Sequence, residues 1–234
     1  MHKLKILVWA SLALLCVQAQ ASLVLVSAQD FTGTGLGAVN TILTLQSPGS
    51  STTESGSVGR ATGNPNDVRT GNFQSGASQT QTRTISSLGV ISAADLRVVF
   101  NALEPGISTG NGSILLSDLQ LNIFSSTGAL LFNSGAFTPI NFADTFTGAG
   151  NSGFLFQLDA TQAAQAQAAA FGVGFGSNLI GLAATALNAT GGFETFFVAS
   201  GGAVSTPQKI PEPGSLALAC LALFGLATLR RPKT

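Results

Sequence analysis

Carboxylates are the only side chains in the body of this sequence equipped to work as an acid or a base. His2, Trp9, Cys16 and Cys220 are the sole histidine, tryptophan and cysteines of 234 residues, Met1 is the sole methionine, and tyrosine is absent. All of them lie in the two terminal segments. The region between therefore offers no imidazole, thiol or phenol, which excludes a Ser-His-Asp triad, a Cys-His nucleophile and a zinc site of His and Cys. Of the nine carboxylates that remain, Glu104, Asp118, Asp144 and Asp159 are the candidates for such work. Two carboxylates about 5–10 Å apart are the minimum equipment of a glycosidase. Yet the region lacks the Trp and Tyr rings that commonly stack on sugars, and each carboxylate has a plainer role. Asp159 reads as a helix cap, Asp118 as an outward strand residue, and Glu104 and Asp144 as turn or loop residues. The expectation is a protein without enzymatic activity.

Oxygen ligands are the second chemistry on offer. Asn64, Asn66 and Asp67 alternate the donors that calcium takes, but they lack the spacing of an EF-hand loop. Asn64-Pro65-Asn66-Asp67 also reads as a turn, which is the favoured explanation. Calcium is the one cofactor the sequence leaves open. Asn111-Gly112-Ser113 and Asn188-Ala189-Thr190 match the N-glycosylation pattern, although their composition is that of turns. Gly172-Val173-Gly174-Phe175-Gly176 has neither the helix start nor the lysine of a phosphate loop.

Only 9% of residues are charged, and the formal net charge is zero. That zero is a cancellation. Residues 22 to 209 hold nine acidic residues against five basic ones, a net charge of −4, while the basic surplus sits at the ends. A mildly acidic body with no basic cluster argues against a nucleic-acid surface. Without cysteines it must cohere by core burial, and fifteen of the sixteen phenylalanines lie within it.

Both ends carry addresses. Met1-His2-Lys3-Leu4-Lys5 is a short basic start, Ile6 to Val17 is an apolar run broken only by Ser11, and Ala19-Gln20-Ala21 is a small-x-small site. That order is a signal peptide's, with signal peptidase cutting after Ala21. At the other end Pro211-Glu212-Pro213 precedes sixteen uncharged residues, Gly214 to Leu229, and then Arg230-Arg231-Pro232-Lys233-Thr234. As a helix that stretch is roughly 24 Å long, slightly under a hydrocarbon core of about 30 Å. Its leucines and phenylalanine favour insertion by about 3.5 kcal/mol, and Arg230 and Arg231 can snorkel to cover the shortfall. Positive residues stay cytoplasmic, so everything before Pro211 lies outside. Pro213 suits the first turn of a helix, while Pro211 disfavours helix in the residue before it. Glu212 is thereby held on a stiff, extended stub at the membrane surface, where a protease can read it without unfolding a helix. A plain tail anchor with a proline-rich turn is the alternative.

Ile210-Pro211-Glu212-Pro213-Gly214-Ser215, the apolar helix and Arg230-Arg231 resemble the PEP-CTERM sorting signal of exosortase substrates. The resemblance is confined to the tail, but tripeptide, helix and basic cap occur there in order. It implies that an exported protein is delivered to an exosortase, a transpeptidase-like membrane enzyme that cleaves near the Pro-Glu-Pro. The product then passes to the cell surface or the extracellular polysaccharide matrix of a Gram-negative bacterium. Signal peptidase, exosortase, inner-membrane lipid and exopolysaccharide are the implied partners. Cys220 in mid-helix departs from the usual pattern and reads as a small packing residue.

Between the addresses the pattern is of strands and turns. Leu23 to Val26 and Val39 to Leu45 are short apolar runs, and Gln46 to Gly76 is polar enough to read as one long loop or two. Ser78 to Ile85 reads as a polar edge strand, Ser92 with Asp95 as a capping box, and Leu96 to Leu103 as a strand. Ile114 to Phe124 and Ala129 to Asn133 form a hairpin around Ser125-Ser126-Thr127-Gly128, with Leu119, Leu121 and Ile123 on its apolar face. Phe154 to Leu158 is a further strand. Asp159 and Gln162 cap a helix over Ala160 to Ala170, and Leu179 to Leu187 and Phe193 to Val198 are the last strands. No internal repeat is evident.

The expected architecture is mainly β: an antiparallel, jelly-roll-like β-sandwich with one short helix, flanked by a signal helix and a transmembrane helix. The boundaries are 1–21 for the signal peptide, 22–206 for the ectodomain and 207–234 for the sorting signal. The expected function is that of an exported, exosortase-processed surface or matrix protein with a structural or adhesive role. A calcium-dependent carbohydrate-binding module and, behind it, a carboxylate-based polysaccharide hydrolase are the alternatives.

Overall fold

The structure, a computed structural model, describes residues 23–30, 40–47, 49, 51–76, 79–102, 113–142, 152–189 and 192–201. The chain divides into two units, Met1–Ala203 and Val204–Thr234. The second unit, the signal helix expected within 1–21 and the transmembrane helix expected at 214–229 all lie outside the described residues. Among the described residues, no helix is long and apolar enough to cross a membrane.

Among its described residues the first unit is mainly β, built of two antiparallel sheets with one α-helix. The five-stranded sheet has the order β1 (Leu23–Asp30), β10 (Ser152–Leu158), β6 (Leu96–Ala102), β12 (Glu194–Ser200), β2 (Thr41–Leu45). The seven-stranded sheet runs β4 (Val68–Gly71), β3 (Thr53–Gly59), β11 (Leu179–Leu187), β7 (Ile114–Phe124), β8 (Leu130–Asn133). In addition β5 (Arg83–Thr84) pairs with β11, and β9 (Ile140–Phe142) pairs with β7. The pairs nest one inside another: β2 with β12, β3 with β11, β6 with β10, and β7 with β8. A long hairpin rolled upon itself pairs in this order.

Strand alternation decides which side chains enter the space between the sheets. Leu119, Leu121 and Ile123 of β7 are fully buried there, as are Phe100 of β6 and Phe196 of β12. Phe100 and Phe196 stack with ring centroids 4.8 Å apart. Phe142 of β9 reaches across from the other sheet, 3.9 Å from the Phe154 ring and edge-on to Phe100 at 5.8 Å. Each such ring, fully buried, stabilises the fold by roughly 1.5–3 kcal/mol, and the phenylalanines do the cohesive work that disulfides do in smaller exported domains.

The helix α1 (Ala160–Ala170) starts where expected. Asp159 Oδ1 accepts a hydrogen bond from the Gln162 amide at 2.9 Å, satisfying one of the donors a helix start leaves open. Ala166 and Ala170 are its buried residues, and Gln167 Oε1 accepts from the Ala93 amide at 2.9 Å.

Several expectations are corrected. The polar stretch 46–76 is not loop throughout, because it contains β3 and β4. In β3 the inward positions are Glu54, Gly56 and Val58, so its alternation is carried by one apolar side chain and escapes a hydrophobicity reading. The stretch 78–85 is not a solvated edge strand: only Arg83–Thr84 pairs as β5, and Thr80 and Thr82 are buried. Ser92 and Asp95 do not form a capping box. The Ser92 hydroxyl donates to Asp95 Oδ2 at 2.8 Å, so the two close on each other instead of on backbone amides. The last two strands are present as expected, at Leu179–Leu187 and Glu194–Ser200; they lie in different sheets, and the chain crosses between them through Asn188, at φ 63°, and Gly192, at φ 107°.

Candidate functional site

Three groups of polar side chains stand out in the first unit. The first joins the turn after β3 to the segment before β5. Asp67 accepts from Arg60 Nε at 3.1 Å, Arg69 Nη2 at 3.2 Å, and the Thr82 hydroxyl at 2.6 Å and amide at 3.2 Å. Arg60 also donates to the Pro65 carbonyl, and Arg69 Nε to the Thr80 carbonyl at 2.8 Å. Asn64 Oδ1 accepts from the Asn66 amide at 2.9 Å, the local bond that makes an Asx turn. The oxygens of Asp67 are thus met by two guanidinium groups and Thr82, and Asn64 Oδ1 by the Asn66 amide, bonds that fix the turn the sequence predicts.

The second group lies on the outward face of the seven-stranded sheet. Leu119, Leu121 and Ile123 point inward, so Asp118, Gln120 and Asn122 of β7 point out. Gln120 Nε2 donates to Asp118 Oδ2 at 3.1 Å, and Asn133 Nδ2 of β8 donates to Asn122 Oδ1 at 2.7 Å and to Gln120 Oε1 at 3.3 Å. Across β11 and β3 the row continues in hydroxyls, with Ser55 and Thr185 bonded at 2.9 Å and Ser57 and Thr70 at 2.7 Å. Register explains the row: Asp118 sits opposite Thr185, and Thr185 opposite Ser55. The result is a flat face of amides and hydroxyls with one carboxylate. Partial burial pushes Asp118 above the ordinary aspartate value of 3.8, against the opposing pull of the Gln120 side chain and the Leu119 amide.

Of the other candidate carboxylates, Asp159 caps α1, and Glu104 and Asp144 lie outside the described residues. A third group had no signal in the sequence: Glu54 and Glu194 are buried at 2% and 0% exposure. A carboxylate inside a core runs against composition rules, so only the fold reveals them.

The sorting residues Pro211, Glu212, Pro213, Arg230 and Arg231, with the cleavage residues Ala19 and Ala21, lie outside the described residues. Their meaning comes from comparison: residues 209–231 match the family model of the PEP-CTERM protein-sorting motif. The chain carries a PEP-CTERM sorting signal. Such a signal marks an exported protein that is targeted to an exosortase, a membrane protein, and processed at the membrane on its way toward the cell surface. The PEP-CTERM match covers the tail alone. Neither a curated protein nor a solved structure matches the chain.

Proposed function

We propose that this chain is a non-enzymatic surface or matrix protein, cleaved by an exosortase at the Pro211-Glu212-Pro213 stub and serving a structural or adhesive role in exopolysaccharide. The observation that carries the reading is the PEP-CTERM match at 209–231, placed behind a start with the order of a signal peptide. The domain's chemistry agrees with it. Its nested strand pairs fit a jelly roll, and Asp159, Asp67 and Asp118 are engaged in a cap, a turn and a sheet face. The experiment places one epitope tag after Ser22 and another after Thr234 in cells with an active exosortase. The two tags part company on processing, and with Glu212→Ala they stay on one membrane-bound molecule. Both tags persisting on full-length wild-type protein refutes the reading.

The outward face of the seven-stranded sheet supports a second reading, in which the adhesive ligand is a polysaccharide held by hydrogen bonds. The aligned Asp118, Gln120, Asn122 and Asn133 offer alternating donors and acceptors at half-exposed positions, which suits sugar hydroxyls better than an apolar partner. Affinity electrophoresis through native exopolysaccharide tests this. The wild type is retarded, and Asn122→Ala with Asn133→Ala loses most of the retardation; unchanged mobility of the wild type removes the reading.

A further inference from the structure

Among the described residues, three large apolar side chains are more than half exposed: Ile91, Leu130 and Val173. All three stand at one end of the sandwich. Ile91 lies between the single-turn helices Ile85–Leu88 and Ala93–Asp95, and Val173 lies between α1 and the single-turn helix Phe175–Ser177. These turns are fastened side by side. The Ile85 amide donates to the Asn178 carbonyl at 2.8 Å and the Ala93 amide to Gln167 Oε1 at 2.9 Å, and a Cβ added at Gly176 would lie 3.3 Å from Ser86 Cβ. Leu130 opens β8 opposite Phe124, which is itself opposite Leu179, the neighbour of Asn178. Beneath the tips Val90, Ala93 and Phe171 are buried, so the chain turns into the core close to Ile91 and Val173 while those two side chains stay outside it.

The last described residue, Gly201, lies at the same end. Ser200 of β12 pairs with Leu96, and the Gly201 amide donates at 2.6 Å to the carbonyl of Asp95, in the helix that follows Ile91. From Gly201 the chain to Pro211 reaches about 35 Å at full stretch, so the sequence tethers this end to the bilayer that the tail enters. The surroundings of the three side chains are uncharged: residues 85–92, 125–130 and 160–178 contain no Asp, Glu, Lys or Arg. Apolar side chains on charge-free turns can enter a headgroup layer without stripping water from an ion. We propose that this end of the ectodomain is a lipid-contact surface, with Ile91, Leu130 and Val173 dipping into the headgroup layer; the proposal rests on the reading of the tail as a membrane-inserted sorting signal. So few side chains hold lipid only weakly and reversibly. The contact therefore steadies the domain while the tail is attached and lets it leave once the tail is cut.

Fluorescence of the full-length protein in proteoliposomes tests the surface. Trp9→Phe removes the single tryptophan, and one new indole is then placed by Ile91→Trp, Val173→Trp or, as the control at the opposite end of β12, Phe193→Trp; all three positions are exposed and accept the ring without repacking. The vesicles are phosphatidylethanolamine and phosphatidylglycerol, with part of the lipid brominated high on its acyl chains. Ile91→Trp and Val173→Trp lose most of their emission to the bromines, and Phe193→Trp keeps its own. If the protein floats with the vesicles but the first two stay as bright as the control, the lipid contact is overturned and the anchor stands. Protein that does not float with the vesicles overturns the anchor reading, and the contact with it. Unquenched emission from Ile91→Trp and Val173→Trp that shifts to the blue only as protein concentration rises also overturns the contact, and assigns this end to a second copy of the chain.

Discussion

Asp118 and Asp67 are both aspartates on the seven-stranded sheet or its turns, yet their surroundings differ in kind. Asp67 is met by two guanidinium groups and a threonine, whereas Asp118 is met by one neutral amide and a backbone N–H while burial strips its water. Its proton therefore binds more tightly in the folded state than in the unfolded one. That contribution to stability is complete below pH 3.8 and is lost as the pH rises through the elevated value. Asp118→Asn accordingly raises the melting temperature at pH 7, and its advantage over wild type fades as a melting series is taken down toward pH 3.8. Residue roles were legible where their partners are local. Asp159 and its partner Gln162 are neighbours in the chain, so the cap could be read. Asp67 and Thr82 are 15 residues apart, so the same aspartate read as a loose turn residue with a calcium alternative.

Elements were legible where apolar side chains mark the period. The β7–β8 hairpin declares itself through Leu119, Leu121 and Ile123, and α1 through its alanines and its cap. In β3 two of the three inward positions are glutamate and glycine, so an element with correct alternation looked like linker. Its neighbour β4 ends at Gly71, where φ is +77° and an added Cβ would collide with the Ser55 carbonyl oxygen; such glycines look like loop punctuation in a sequence. The cap is the sharper test of element-scale reasoning. Removing the Asp159 carboxylate as Asp159→Ala leaves the Gln162 amide without its acceptor, and costs about 1 kcal/mol in urea unfolding of the full chain.

At the scale of the molecule, the address was legible and the cargo was not. Pro211-Glu212-Pro213 and Arg230-Arg231 are local signals that need no fold to be recognised, and the family model matches them at 209–231. The ectodomain's face of amides and its buried glutamates exist only once distant strands are aligned. The nested pairing has one more consequence. Leu23 at the start of β1 waits for Leu158, and β2 waits for β12, whose last residue is Ser200. Neither edge of the five-stranded sheet can close until β10 or β12 has been synthesised, and contacts so distant in the chain form slowly. An exported polypeptide with this wiring stays threadable during translocation, because the strand that completes its fold is the last to come through.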